Sequence, residues 1–278
     1  MSKSTERCPC CASERIDLYM MLTAAAAKGS LRLPLWICPQ CDHAWLQTGD
    51  AHGLIEEDYD QGYVGHRIDP FFEAQCRNVL RSEIGELRAP PATLLDVGCG
   101  NGGFLLAAQD AGYEALGVDI SAGAIDIVSS RGGKAILVDF LAHDFGRTFD
   151  IISMWDVVEH LREPVRFFQR ARELLNSGGI LLVKTPGVGR QALALTRVRP
   201  RWAGGLLQAP HHVQYWTQES MDAIMRRAGF ARVVYWPGRS FRSAPETRSP
   251  VRKARRWTRT KLLRLTGSEN IFCAGRSS

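Results

Sequence analysis

Apolar residues along this chain follow two rhythms. Short, nearly unbroken apolar runs near 93–97, 115–119, 135–138, 149–154 and 179–184 predict buried strands. Between and after them, apolar positions three and four apart predict helices near 103–111, 122–131, 163–175 and 217–228. Such alternation predicts an α/β fold with a parallel sheet. Upstream, Phe72, Cys76, Val79, Leu80, Ile84 and Leu87 recur at helical spacing and predict an amphipathic helix packed on that sheet, ended by Pro90-Pro91. Val233–Trp236 and Asn270–Ala274 read as two last strands.

The first core strand runs into Asp96-Val97-Gly98-Cys99-Gly100-Asn101-Gly102-Gly103-Phe104. Glycines here let the backbone turn tightly and approach a ligand, and the following helix start offers N–H groups and a positive dipole end. The glycine spacing alone also fits a dinucleotide site. Asp96 argues against that, because a carboxylate here repels a pyrophosphate and suits a ligand bearing an ammonium and a sulfonium. Its rival role is to cap the helix. Asp119 ends the next strand, where an acid accepts hydrogen bonds from ribose hydroxyls.

These residues resemble the class I S-adenosylmethionine-dependent methyltransferases. The resemblance rests on Leu94–Gly102, Gly117-Val118-Asp119-Ile120-Ser121, Phe149–Ile152, Asp156–Leu161 and Leu174–Gly179, in that order, and covers roughly 70–278. It implies a Rossmann-like, doubly wound seven-stranded sheet whose last two strands form an antiparallel edge pair. S-adenosylmethionine would lie on Asp96, Gly98, Gly100, Gly102, Asp119 and Ile120. Asp139 would contact the adenine, Phe140 or Leu141 would cover it, and Trp155 would border the reacting methyl.

Composition adds a second module. Five of eight cysteines fall within the first 41 residues. Cys8-Pro9-Cys10-Cys11 and Cys38-Pro39-Gln40-Cys41 are two Cys-x-x-Cys knuckles with 26 residues between them, and strand-like 31–37 leads into the second. Cys8, Cys11, Cys38 and Cys41 can surround a structural zinc ion, as in a zinc ribbon. Cys10 is a spare at the first knuckle and His43 a weaker candidate ligand. The expected division is a ribbon over 1–50, a tyrosine-bearing linker and amphipathic helix over 51–90, and the methyltransferase domain over 91–278, with insertions near 188–209 and 239–268.

Chemistry beyond the cofactor concentrates in two places. Asp156, Glu159 and His160 follow the fourth core strand. They are similar to the acidic, His-bearing segment of ubiquinone-biosynthesis O-methyltransferases, which implies a divalent cation such as magnesium near substrate hydroxyls. The plainer alternative is a capped turn paired with Arg162 or Arg166. Before the helix at 217, the family often carries a histidine facing the substrate, which makes His212, then His211, candidates for the base, with His160 a further catalytic candidate. Imidazole suits removal of a hydroxyl proton near neutrality.

The formal charge is +6, and residues 239–264 hold eight Arg and two Lys against one Glu. That basic excess suits a peripheral contact with an anionic membrane surface or another acidic partner, and the long segment near 188–209 reads as a lid or binding element, as a basic amphipathic segment on such a surface, or equally as a helical insertion packed on the core. No apolar run is long enough to span a bilayer, and nothing resembles a signal peptide, so a cytoplasmic protein is expected. The acceptor expected is a small molecule, a glycosyl group or a lipid-linked intermediate, methylated on oxygen. RNA is the lesser rival, since Met154-Trp155-Asp156-Val157 stands where exocyclic-amine chemistry wants an Asn-Pro-Pro-Tyr-like segment. A nicotinamide-dependent reductase and a non-catalytic protein retaining the fold are further rivals.

Overall fold

The computed structural model describes residues 7–26, 29–49, 70–199, 203, 206–236 and 270–277. The tyrosine-bearing segment and the basic stretch lie outside the described residues.

A small antiparallel sheet comes first. Strand β1 (Asp17–Ala26) pairs with β2 (Gly29–Ile37), and β2 with β3 (Ala44–Leu46). On β2, Leu33 and Leu35 turn inward while Arg32 faces water, which is the alternation of a half-buried strand. The predicted amphipathic helix is α1 (Pro70–Val79). It continues through a widened π turn at Leu80–Ile84 and a last turn at Gly85–Leu87.

The main core then alternates as expected: β4 (Thr93–Val97), α2 (Gly103–Asp110), β5 (Glu114–Asp119), α3 (Ala122–Ser130), β6 (Ala135–Leu137), β7 (Phe149–Trp155), α4 (Pro164–Leu174) and β8 (Leu175–Pro186). β8 starts four residues before the predicted strand, because Leu175 pairs with Phe149 and the chain leaves α4 directly into extended backbone. There follow α5 (Arg190–Val198), β9 (Gln214–Tyr215), α6 (Gln218–Arg227), β10 (Phe230–Tyr235) and β11 (Asn270–Ser277).

The seven-stranded sheet has the order β10-β11-β8-β7-β4-β5-β6. β4 to β8 are mutually parallel, and β11 runs antiparallel to both its neighbours. The core strands read as continuous apolar runs because both faces of the sheet are covered. Leu95, Ile152 and Leu181 point to one side, against Phe168 and Ala171 of α4 and Met221 and Ile224 of α6. Leu94, Ile151 and Leu182 point to the other, against Cys76 and Val79 of α1 and Phe104 and Leu105 of α2. Each such leucine or isoleucine contributes about 1.5–3 kcal/mol by leaving water.

The segment near 188–209 contains a docked helix. Ala192 and Leu193 of α5 pack with Leu22, Leu33 and Leu35 of the small sheet. Arg190 pairs with Asp42, and Arg197 lies 4.0 Å over the Tyr19 ring while donating to the Tyr19 carbonyl. β9 then adds to β3 as the fourth strand of that sheet. No described helix is long and apolar enough to cross a membrane.

If α5 is held by this packing, Leu193→Ala should cost about 2–4 kcal/mol in chemical denaturation. A loss below about 0.5 kcal/mol would mean that the helix is a loosely attached lid.

Candidate active site

The carboxyl ends of β4, β5, β7 and β8 meet at one edge of the sheet. Ligands of open α/β sheets sit there. At the end of β4 the backbone turns through Gly98 at φ +67°, where a Cβ would come within 2.6 Å of Val157 Cγ2, so only glycine fits. Gly100 and Gly102 also take positive φ, and Gly102 precedes α2 with no side chain capping the helix. Asp96 is therefore not the cap.

Asp96 is almost fully buried and accepts a hydrogen bond from Ser153 Oγ at 2.7 Å. Burial pushes its pKa up to about 7, against the opposing hydrogen bond from Ser153. Asp119 takes two backbone donors, Gly100 N–H on Oδ2 and Ser121 N–H on Oδ1, each at 2.9 Å. It ties the glycine loop to the end of β5, and a carboxylate has lone pairs to spare beyond two bonds. Ile120 beside it is 76% exposed, an apolar surface at the rim of the loop. Asp139 is exposed and accepts from Leu141 N–H at 2.8 Å. Phe140 is turned into the core, against Phe145 and Phe167, so of the two residues offered as a ring cover only Leu141 reaches the surface. Trp155 is also largely buried, 4.4 Å from Phe104 between ring centroids and edge-on to Phe72 of α1.

Beyond β7 the chain turns through Asp156 at φ +53°. Its carboxylate is ion-paired with Lys184 of β8, and its N–H donates to the Lys184 carbonyl at 2.8 Å. Lys184 was not singled out from sequence; the signal available was a lone cation closing an apolar strand. Glu159 pairs with neither Arg162 nor Arg166. It is buried, and its Oε2 accepts from Thr185 Oγ1 at 2.8 Å, while Oε1 is buried without a partner. Burial first, then the charge of Asp156, raises its pKa to about 8.

His160 and His212 come together with Glu159. The His160 Nδ1–H donates to the His211 carbonyl at 2.9 Å, and the His212 ring stands edge-on to it at 4.9 Å. Burial lowers the pKa of both, that of His212 to about 4 with help from His160, so both rings are neutral at pH 7. One ligating atom from each of Glu159, His160 and His212 lies within 4.8 Å of the others. Asp156 is outside this group.

The four knuckle cysteines also converge, their sulfurs within 4.8 Å of one another. Cys8–Cys41 and Cys11–Cys38 are 3.7 and 3.6 Å apart, near the edge of about 3.8 Å that a tetrahedron of zinc–sulfur bonds requires and far beyond a disulfide. The donor set fits zinc. Cys10 lies outside it and donates to the Ser220 carbonyl at 2.8 Å. His43 is outside it too, fully buried with Nε2–H donating to Gln214 Oε1 at 2.7 Å.

A glycine loop braced by one strand-end carboxylate, beside a seven-stranded sheet with one reversed strand, defines a nucleoside-cofactor enzyme of the Rossmann-like class. The family profile described as methyltransferase domain matches residues 61–234. Over 182 residues the chain is 32% identical to the ubiquinone biosynthesis O-methyltransferase of Azorhizobium caulinodans, covering 59% of this chain and 71% of that protein. Among solved structures, a SAM-dependent methyltransferase from Archaeoglobus fulgidus superposes with a TM-score of 0.52 at 17% identity, over 79% of this chain and 98% of that one. Phosphoethanolamine N-methyltransferase 2 of Haemonchus contortus, in complex with S-adenosyl-L-methionine, superposes at 0.56 and 17% identity, over 82% of this chain and 57% of that one. The chain belongs to the S-adenosylmethionine-dependent methyltransferases.

Asp96 and Glu159 keep protons in the folded protein that the unfolded chain has lost. Their contribution to stability is therefore full below about pH 4 and is lost as pH rises through about 7 and 8 respectively. Asp96→Asn should shrink the fall in unfolding free energy between about pH 5 and about pH 8 by about 1–3 kcal/mol. Equal falls in both proteins, read from urea melts, would show that Asp96 is ionised in the fold.

Proposed function

We propose that this enzyme transfers the methyl group of S-adenosylmethionine to a hydroxyl oxygen of a small molecule, with His212 as the base and His160 as its neighbour. The observation that carries this reading is the grouping of His212, His160 and Glu159 beside the cofactor loop, with both rings held neutral. Val157, three residues before His160, lies against Gly98, so the cluster starts where the cofactor loop starts. A neutral imidazole can accept the hydroxyl proton as the oxygen attacks the sulfonium-activated carbon. With Nδ1–H committed to the His211 carbonyl, neutral His160 carries its lone pair on Nε2. The rest is positioning: nucleophile, carbon and sulfur in line, with water kept out. The printed name of the Azorhizobium relative supports oxygen as the methylated atom. Glycosyl and lipid-linked hydroxyls belong to the same proposal, as does a peripheral membrane contact.

For the cofactor we assign Asp119 to the ribose hydroxyls, Asp96 to the positive end, Gly98, Gly100 and Gly102 to the close backbone approach, and Ile120, Asp139 and Leu141 to the adenine side. Titration calorimetry should show S-adenosylmethionine affinity lost in Asp119→Ala. In His212→Asn affinity should stay within about twofold while methyl transfer falls at least about 100-fold. Undiminished transfer by His212→Asn would remove it as the base.

A second reading of the same cluster is a divalent-cation site. Glu159 Oε1 is buried without a partner, and the two imidazoles complete a donor set. One carboxylate with two imidazoles favours a first-row transition metal over magnesium. A cation there would lower the pKa of an acceptor hydroxyl. Mn2+ binding that disappears in Glu159→Gln would support this reading.

The zinc ion we assign to Cys8, Cys11, Cys38 and Cys41, in a structural role. Without metal Cys8, Cys38 and Cys41 hold their protons, burial pushing Cys38 up to about 11, so metal uptake must displace them. Purified protein should hold about one equivalent of zinc, and Cys38→Ser should lose both the metal and thermal stability. Full metal content in Cys38→Ser would disprove the ligand set.

A further inference from the structure

The cysteine knuckles touch the chain just beyond His211 and His212. At the first knuckle, Cys10 donates to the Ser220 carbonyl, and Arg227 donates to the carbonyls of Pro9 and Cys10. Both contacts hold α6, which begins six residues after His212. At the second knuckle the contact is more specific. His43, two residues past Cys41, donates from Nε2 to Gln214 Oε1, and Gln214 Nε2 donates to the Leu161 carbonyl at 2.8 Å. The backbone N–H groups of Val213 and Gln214 both donate to the Glu159 carbonyl, at 2.8 and 2.9 Å. One glutamine therefore holds both ends of the Glu159–Leu161 turn, and His43 holds the glutamine. His43 and Gln214 are both buried, with His43 wedged between the rings of Trp45 and Trp216.

We propose that His43 and Gln214 are positioning residues, through which the second cysteine knuckle sets where Glu159, His160 and His212 stand. The proposal rests on the reading of that cluster as the acceptor side of the site. It explains why a polar pair is buried where two apolar side chains would pack at less cost. Gln214 uses both ends of its side-chain amide, accepting from His43 and donating to Leu161, and each of these bonds offsets part of the cost of burying the pair. The bridge thereby adds, at Leu161, a side-chain tie to the two main-chain bonds at Glu159, and so orients the turn that carries His160 against the histidine loop.

The test uses the full-length, zinc-loaded protein labelled with 15N in histidine. Long-range proton–nitrogen spectra at one pH report the tautomer and surroundings of each ring. In the wild type, His160 should appear as the Nδ1-protonated tautomer. Gln214→Met keeps the volume and removes both side-chain bonds. It should leave zinc content and S-adenosylmethionine affinity within about twofold, while the His160 and His212 signals shift and the single His160 tautomer is lost. His43→Leu should do the same, and His43→Gln, which retains a donor, should restore the wild-type signals. Unchanged His160 and His212 signals in both Gln214→Met and His43→Leu would overturn the proposal. So would loss of zinc or failure to fold in both variants, because the bridge would then be a plain structural support. The outcome is independent of the turnover of His212→Asn: intact turnover there defeats the assignment of the base, whereas unchanged ring signals defeat the bridge and leave that assignment standing.

Discussion

The carbonyl oxygen of Glu159 accepts two backbone N–H groups, from Val213 and Gln214, and the two sheets of this protein meet at that oxygen. On one side is the turn that leaves β7 of the main sheet. On the other is β9, which completes the small sheet beside the cysteine knuckles. Glu159, His160, His211 and His212 all stand within a few residues of this junction. Because both partners are main chain, the junction survives most changes of side chain, and what those changes alter is what the junction presents.

What it presents is unusual in charge. Glu159 and Asp96 are buried carboxyls whose pKa values are pushed up by burial, and His160 and His212 are imidazoles whose pKa values are pushed down by it. The same cause thus shifts both kinds of group toward their neutral forms, and the ion pair of Asp156 with Lys184 stands at their border. As the proposed partner of the cofactor's sulfonium and ammonium, Asp96 would gain a reason to ionise that the fold alone does not give it.

Most of the main sheet could be read from the sequence, because a parallel sheet covered on both faces writes itself as apolar runs. The strand at 93–97 and the helices near 103–111 and 122–131 fall within a residue or two of where they are observed. The glycine loop and the four cysteines were legible for the same reason: their spacing is imposed by local backbone and by tetrahedral geometry. The role of 188–209 was not legible. A basic amphipathic helix looks alike whether its apolar face meets lipid or a second sheet, and only the contact of Leu193 with Leu22 and Leu35 decides it. Phe140 illustrates the opposite trap, since an aromatic after a strand can face a ligand or the core, and here Phe145 and Phe167 claim it. Gln214 and Lys184 carried no motif at all, because their meaning lies in partners 53 and 28 residues away.

The two-residue strand β9 has a consequence for the order in which the chain can assemble. The small sheet takes its first three strands from the opening 46 residues and its fourth from positions 214 and 215. His43 and Gln214 are 171 residues apart. During synthesis the two cysteine knuckles can come together early, yet the edge of β3 waits for almost the whole main sheet to be made before it is paired. Contacts of such long sequence separation form late and slowly. The module at the front of the chain is therefore among the last parts to be finished, and an unpaired edge is exposed to other nascent chains in the interval.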